Sequence, residues 1–159
     1  MTSTTDGSVK ARLRNDLTTA MKARDQIATG ALRMALSAIS VAETAGDNVA
    51  LLSDAEVVTV LAAEVRKRAE AAEAFGVAGR PEKVAEELAE QAVLERYLPA
   101  AVSADELDAL IDAEIVAAAA DGATGMKAMG RVVAAARAKA GPTADGAQIA
   151  AIVKIKLHT

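Results

Sequence analysis

The sequence predicts an all-α protein: an N-terminal four-helix bundle-like domain over residues 8–98, followed by a smaller C-terminal three-helix domain over residues 99–159. Three observations carry this expectation. Hydrophobic residues make up 52% of the chain but aromatics only 1%, Phe75 and Tyr97, and alanine supplies much of the difference. Alanine is the strongest helix former, so a thin, closely packed helical core is expected. Apolar positions recur at the three- and four-residue spacing of one helix face. Finally, Pro99 stops one helix and Ser103 starts another. Proline lacks an N–H and biases Leu98 away from helical dihedrals, while Ser103 and Glu106 have capping-box spacing.

Residues 1–7 are polar and read as a frayed end. Ser8 caps a first helix with Val9, Leu13, Leu17 and Met21 on one stripe, ending near Arg24. Asp25 caps a second helix to about Ala45, with Ile27, Ala31, Met34, Ala38 and Val41 inward and Leu32, Leu36 and Ile39 widening the stripe. Gly46-Asp47-Asn48 is a turn signal. Ser53 and Glu56 form a second capping box. The third helix they open turns Val57, Leu61, Val65, Ala69 and Ala72 inward and leaves Arg66, Lys67 and Arg68 on the wet side. Gly76 and Gly79 end it. Pro81 suits the first turn of a fourth helix, where a missing N–H costs nothing, with Val84, Leu88 and Ala92 inward.

Beyond Pro99, the fifth helix places Leu107, Leu110, Ile111 and Ile115 inward and Asp105, Asp108 and Asp112 toward water. Asp121 to Gly125 is a loop, and Thr124 caps a sixth helix with Met126, Met129 and Val133 inward. Gly130 lies inside that helix at a cost of roughly 1 kcal/mol against alanine, which a close helix crossing would explain. Gly141-Pro142 breaks the chain, and Asp145 caps a last helix with Ile149, Ile152, Val153 and Leu157 inward.

Residue chemistry offers little to catalysis. There is no cysteine, hence no disulfide or thiolate chemistry, and the one histidine is His158, next to the last residue. The common transition-metal donor sets are therefore out of reach, and the carboxylates fall at helix starts and on outer faces. No catalytic residue, metal site or cofactor is expected. Gly122-Ala-Thr-Gly125 matches the GxxG loop of KH domains, but that loop belongs to a fold with strands. Its glycine spacing also rules out a P-loop, and a helix end followed by a helix start explains it. The polar N-terminus shows no export signal, and Ile115–Ala120 is too short to span a bilayer. A cytoplasmic protein without a membrane partner is expected.

Charge is distributed unevenly. Residues 1–46 carry a net +2, residues 47–99 −5, residues 100–123 −6 and residues 124–159 +5, for −4 in total. The basic tail is the strongest functional signal. Lys127, Arg131, Arg137, Lys139, Lys154 and Lys156 are candidate nucleic-acid-binding residues if they form one positive face on the last two helices. Aspartates of the fifth helix would defeat that reading by neutralising them. With almost no aromatics, splayed bases cannot be stacked, so the expected ligand is the phosphate surface of tRNA or another structured RNA. A protein partner docked on the acidic bundle is the second reading.

Several stretches together resemble the GatB/YqeY family: Glu95-Arg-Tyr-Leu-Pro99, Ser103-Ala-Asp-Glu-Leu107, Lys127-Ala-Met-Gly-Arg131, Ala144-Asp-Gly146 and Ile152 to Leu157. Leu32-Arg33-Met34 and Phe75 to Arg80 extend the likeness, which runs from about Val9 to Leu157. The resemblance implies a free-standing, cytosolic, all-helical protein with a larger N-terminal and a smaller C-terminal domain. It also implies a C-terminal part similar to the tail domain of the B subunit of the glutamine-dependent tRNA amidotransferase, where the tail helps hold tRNA. The kinase-like and amidase parts of that assembly have no counterpart here, so the resemblance extends to an amidotransferase accessory and not to its chemistry. Where the family usually reads Gly-Lys-Val-Met-Gly, this chain reads Gly130-Arg-Val-Val-Ala134, which keeps a cation at Arg131 and loses the second glycine. The loop before Ala144 reads Gly141-Pro-Thr and lacks the family's basic residues.

Overall fold

The computed structural model describes residues 7–158, so the frayed end expected for residues 1–7 falls, but for Gly7, outside the described residues. Among these, all regular structure is helical: α1 (Val9–Ala23), α2 (Gln26–Glu43), α3 (Asp54–Val77), α4 (Pro81–Glu95), α5 (Ala104–Ala120), a 3-10 turn (Gly125–Ala128), α6 (Met129–Ala140) and α7 (Gly146–His158). The chain packs as two compact units, one through Leu98 and the other from Pro99.

In the first unit α1 pairs with α2, and α3 pairs with α4, with α2 also packing on α3 and α4. Local chemistry sets the helix ends. Ser8 and Asp25 accept the backbone N–H of Ala11 and Ala28 at 3.1 and 3.0 Å. Ser53 and Glu56 form the expected capping box. Arg24 closes α1 in the left-handed region at φ 57°, which costs a side-chain-bearing residue about 1 kcal/mol. Gly79, at φ 69°, turns the chain from α3 into α4 without that cost. Leu13, Leu32, Ile39, Leu61 and Leu94 form the centre of the core, with Ala31, Ala35 and Tyr97 around them.

Several inward faces differ from expectation. On α2 the buried apolar residues are Ala31, Leu32, Ala35 and Ile39, while Ile27, Met34 and Val41 are 42%, 56% and 66% exposed. At 100° per residue those three share a narrow rail rotated away from Leu32 and Ile39. Met21 and Leu88 are half exposed, and Ala92 is also outward. On α3 the buried row is Val57, Leu61, Glu64, Arg68 and Ala72, so Arg68 lies inside and not on the wet side, while Ala69 is exposed.

In the second unit α5, α6 and α7 pack mutually around Leu107, Ile111, Val132, Ile149 and Val153, with four buried alanines, Ala118, Ala128, Ala136 and Ala140. Ser103 and Glu106 form the second capping box. The Gly122 turn is a helix end as expected: at φ 84° it lets Ala123 N–H reach Ala118 O at 2.9 Å. Thr124 makes no side-chain cap; the chain passes through a 3-10 turn first, and Met126 is 44% exposed. Asp145 does serve the start of α7, accepting the N–H of Ala147 at 2.8 Å. No close crossing explains Gly130, since a Cβ there would meet nothing within 4 Å. The close approach falls at Gly146, where a Cβ would stand 3.1 Å from the Arg137 guanidinium.

Candidate functional site

The six cations of the second unit do not form one open face. Arg131 pairs with Asp121 just beyond α5, and Lys139 with Glu114 on α5. Lys156 pairs with Asp108 at 3.0 Å and Asp112 at 2.7 Å. Its pKa is raised, first by the hydrogen bond to Asp112 and then by that to Asp108. Helix geometry explains the split. Arg131 and Lys139 sit about 80° apart on the flank of α6 that faces α5, and Arg137 projects from the opposite flank over Gly146. Lys154 and Lys156 are likewise about 160° apart on α7. The expected common positive surface is therefore divided: three cations are matched by the acidic neighbourhood of α5. Lys127, Arg137 and Lys154 are exposed, and no carboxylate of the described residues comes within 4.0 Å of them.

Glu114 shows why the matching is firm. It is only 9% exposed, in the buried row of α5 with Leu107, Ile111 and Ala118, and a carboxylate there needs a cation. Lys139 reaches it from α6.

The first unit holds two polar clusters that residue patterns did not indicate. On α3, Glu64 and Arg68 are 5% and 6% exposed. Arg68 donates from Nη1 to Glu64 Oε2 and from Nε to Glu90 Oε2, both at 3.1 Å, and Lys67 donates to Glu64 at 2.7 Å. This network joins α3 to α4. Beside it, a groove of about 520 Å³ runs between α2 and α3, lined by Met34, Val41, Val60, Ala63, Glu64 and Lys67 among others.

The second cluster surrounds Tyr97, which is 8% exposed. Its hydroxyl donates to Asp16 Oδ2 on α1, and the Arg12 guanidinium lies over its ring, 5.4 Å from the centroid. Burial first, and then the hydrogen bond to Asp16, push the hydroxyl pKa far up, while Arg12 and Arg96 pull it the other way. The hydroxyl thus remains a donor. A signal for this cluster was present in the lone buried-type aromatic beside Pro99, but its partner on α1 is 81 residues away in sequence.

Among the described residues no group of three or more His, Asp or Glu side chains is placed to hold a metal ion. No helix among them is long and apolar enough to cross a membrane.

No curated protein matches the chain. The family model described as Yqey-like protein matches residues 10–157, nearly the whole length, and its span takes in both helical units and both capping boxes. The chain belongs to the YqeY-like protein family.

Proposed function

We propose that this small helical protein is an adaptor that docks on a partner protein through the apolar rail of α2. The observation that carries this reading is the exposure of Ile27, Met34 and Val41 at seven-residue intervals, with Met34 and Val41 lining the groove between α2 and α3. Seven-residue spacing keeps three bulky side chains on one line of a helix surface, the arrangement by which one helix presents itself to another. A tRNA amidotransferase assembly is one partner to test, because the C-terminal part resembles the tail domain of its B subunit. Pull-down with tagged protein should retain a partner at high salt and after nuclease treatment, and Met34→Glu with Val41→Glu should release it. Capture that depends on nuclease-sensitive material, or survives both substitutions, refutes the reading.

A second reading, weak binding of tRNA or another structured RNA, is supported by the exposed cations Lys127, Arg137 and Lys154. Three phosphate contacts predict a log–log salt slope of roughly −3, against roughly −5 for all six cations. Titration of tRNA at low and moderate salt measures it. Neutralising those three residues should abolish the slope, and binding indifferent to salt excludes this reading.

A further inference from the structure

We infer that the cavity around Tyr97 is a binding site for a carboxylate carried on a short apolar group, with Arg12 and Arg96 as its anion clamp. The cavity holds about 360 Å³ and lies between α1, α2 and the end of α4. Ala20, Ala28, Leu32 and Val93 floor it, and Arg12, Asp16, Thr19, Asp25 and Arg96 line its polar side. Pockets that hold small molecules have this size and this division between an apolar floor and a few converging polar groups.

The polar groups are arranged so that the guanidiniums remain available. Arg12 and Asp16 stand one helical turn apart on α1, the spacing at which an arginine and an aspartate ordinarily pair. They do not pair here. Asp16 instead accepts the Tyr97 hydroxyl, and Arg12 is held over the Tyr97 ring by the attraction of a cation for an aromatic face. Asp25 is occupied as well, capping α2 through Ala28 N–H at 3.0 Å. Arg96 follows the last residue of α4 and lines the same cavity as Arg12 and Tyr97. Among the described residues no carboxylate lies within 4.0 Å of Arg12 or Arg96. Each guanidinium carries a planar set of N–H donors that matches the two oxygens of a carboxylate.

Charge selects the anion. Two arginines and two aspartates leave the lining formally neutral, so a phosphate dianion would meet repulsion from Asp16 and Asp25. A single negative charge set between Arg12 and Arg96, with its hydrocarbon on the alanines and Val93, meets about half that repulsion at the same distance. A free amino acid and the C-terminal end of a peptide share that chemistry, and an ammonium group would additionally find Asp16 or Asp25.

Amide chemical shifts of the full chain, followed by NMR, test the assignment with four probes at up to about 10 mM, a range that captures millimolar affinity. Leucine and N-acetyl-leucine should each shift the amides of Ala20, Ala28 and Val93, and leucinamide should not. Response to leucine alone assigns the site to free amino acids, and response to both extends it to peptide ends. Arg96→Gln and Arg12→Gln should each weaken binding about tenfold or more, the scale of one charge-assisted pair. Arg14→Gln, on α1 but outside the lining, should leave affinity unchanged. Equal response to leucinamide, a response to inorganic phosphate as large as that to leucine, or no response to leucine would overturn the proposal.

Discussion

At Arg68 one guanidinium serves two helices, donating to Glu64 on its own helix and to Glu90 on α4. Truncating it would leave Glu64 buried, and breaking a buried pair from one side costs about 3–5 kcal/mol. Lys67 stays close to Glu64, so Arg68→Ala should cost about 3 kcal/mol, the lower end, in urea unfolding. Replacing Glu64 and Arg68 together by Leu and Met should recover most of it. A second buried carboxylate, Glu43, accepts two hydrogen bonds from Lys10 at 2.7 and 2.6 Å, binding the end of α2 to α1. Its pKa is held below the ordinary 4.5, chiefly by Lys10. The unfolded chain therefore takes up the Glu43 proton at a higher pH than the folded one. The stability from this pair is complete above pH 4.5 and lost as pH falls through the lower folded value. Acid unfolding of Lys10→Met should show a shallower dependence across that window.

The element starts were the most legible features of the sequence. A capping box is local, and Ser53 with Glu56 and Ser103 with Glu106 formed as their spacing required. Both glutamates have lowered pKa values, first through the backbone N–H of the serine. Ser103→Ala should destabilise α5 by about 1 kcal/mol, read as faster hydrogen exchange of the amides of Ala104–Ala120. Helix faces were less legible, for a specific reason. On α2 the bulky residues Ile27, Met34 and Val41 suggested one inward face, but the core selected Leu32 and Ile39 with alanines between them. Alanine fits either side of a helix, so an alanine-rich pattern underdetermines its rotation. Assigning every carboxylate to water also turned α3 away from Glu64 and Arg68, which occupy its buried row.

Across the whole chain, the charge map was correct as a sum along the sequence and incomplete as a surface. The −6 segment and the +5 segment face one another within the second unit, so α5 satisfies much of the charge on α6 and α7. Lys156 and Asp112 are 44 positions apart, and no local spacing could announce their contact. The Tyr97 cavity was hidden for the same reason, being assembled from α1, α2 and the end of α4. The pairing has a measurable consequence for any polyanion. Asp108→Asn with Asp112→Asn removes two negative charges from beside Lys156 and should strengthen tRNA association, steepening the log–log salt slope by roughly one unit. An unchanged slope would show that these two aspartates do not hold back polyanion binding.

The four alanines inside the second unit also govern how it responds to temperature. Alanine surrenders no rotamer freedom on burial and hides little hydrocarbon, so both the side-chain entropy lost on folding and the water released are small. Heat capacity on unfolding follows exposed apolar area, and here it should lie below the usual ~12–15 cal/mol/K per residue. Calorimetry should then find a shallow dome, with stability changing little from the cold to the warm limit of its range.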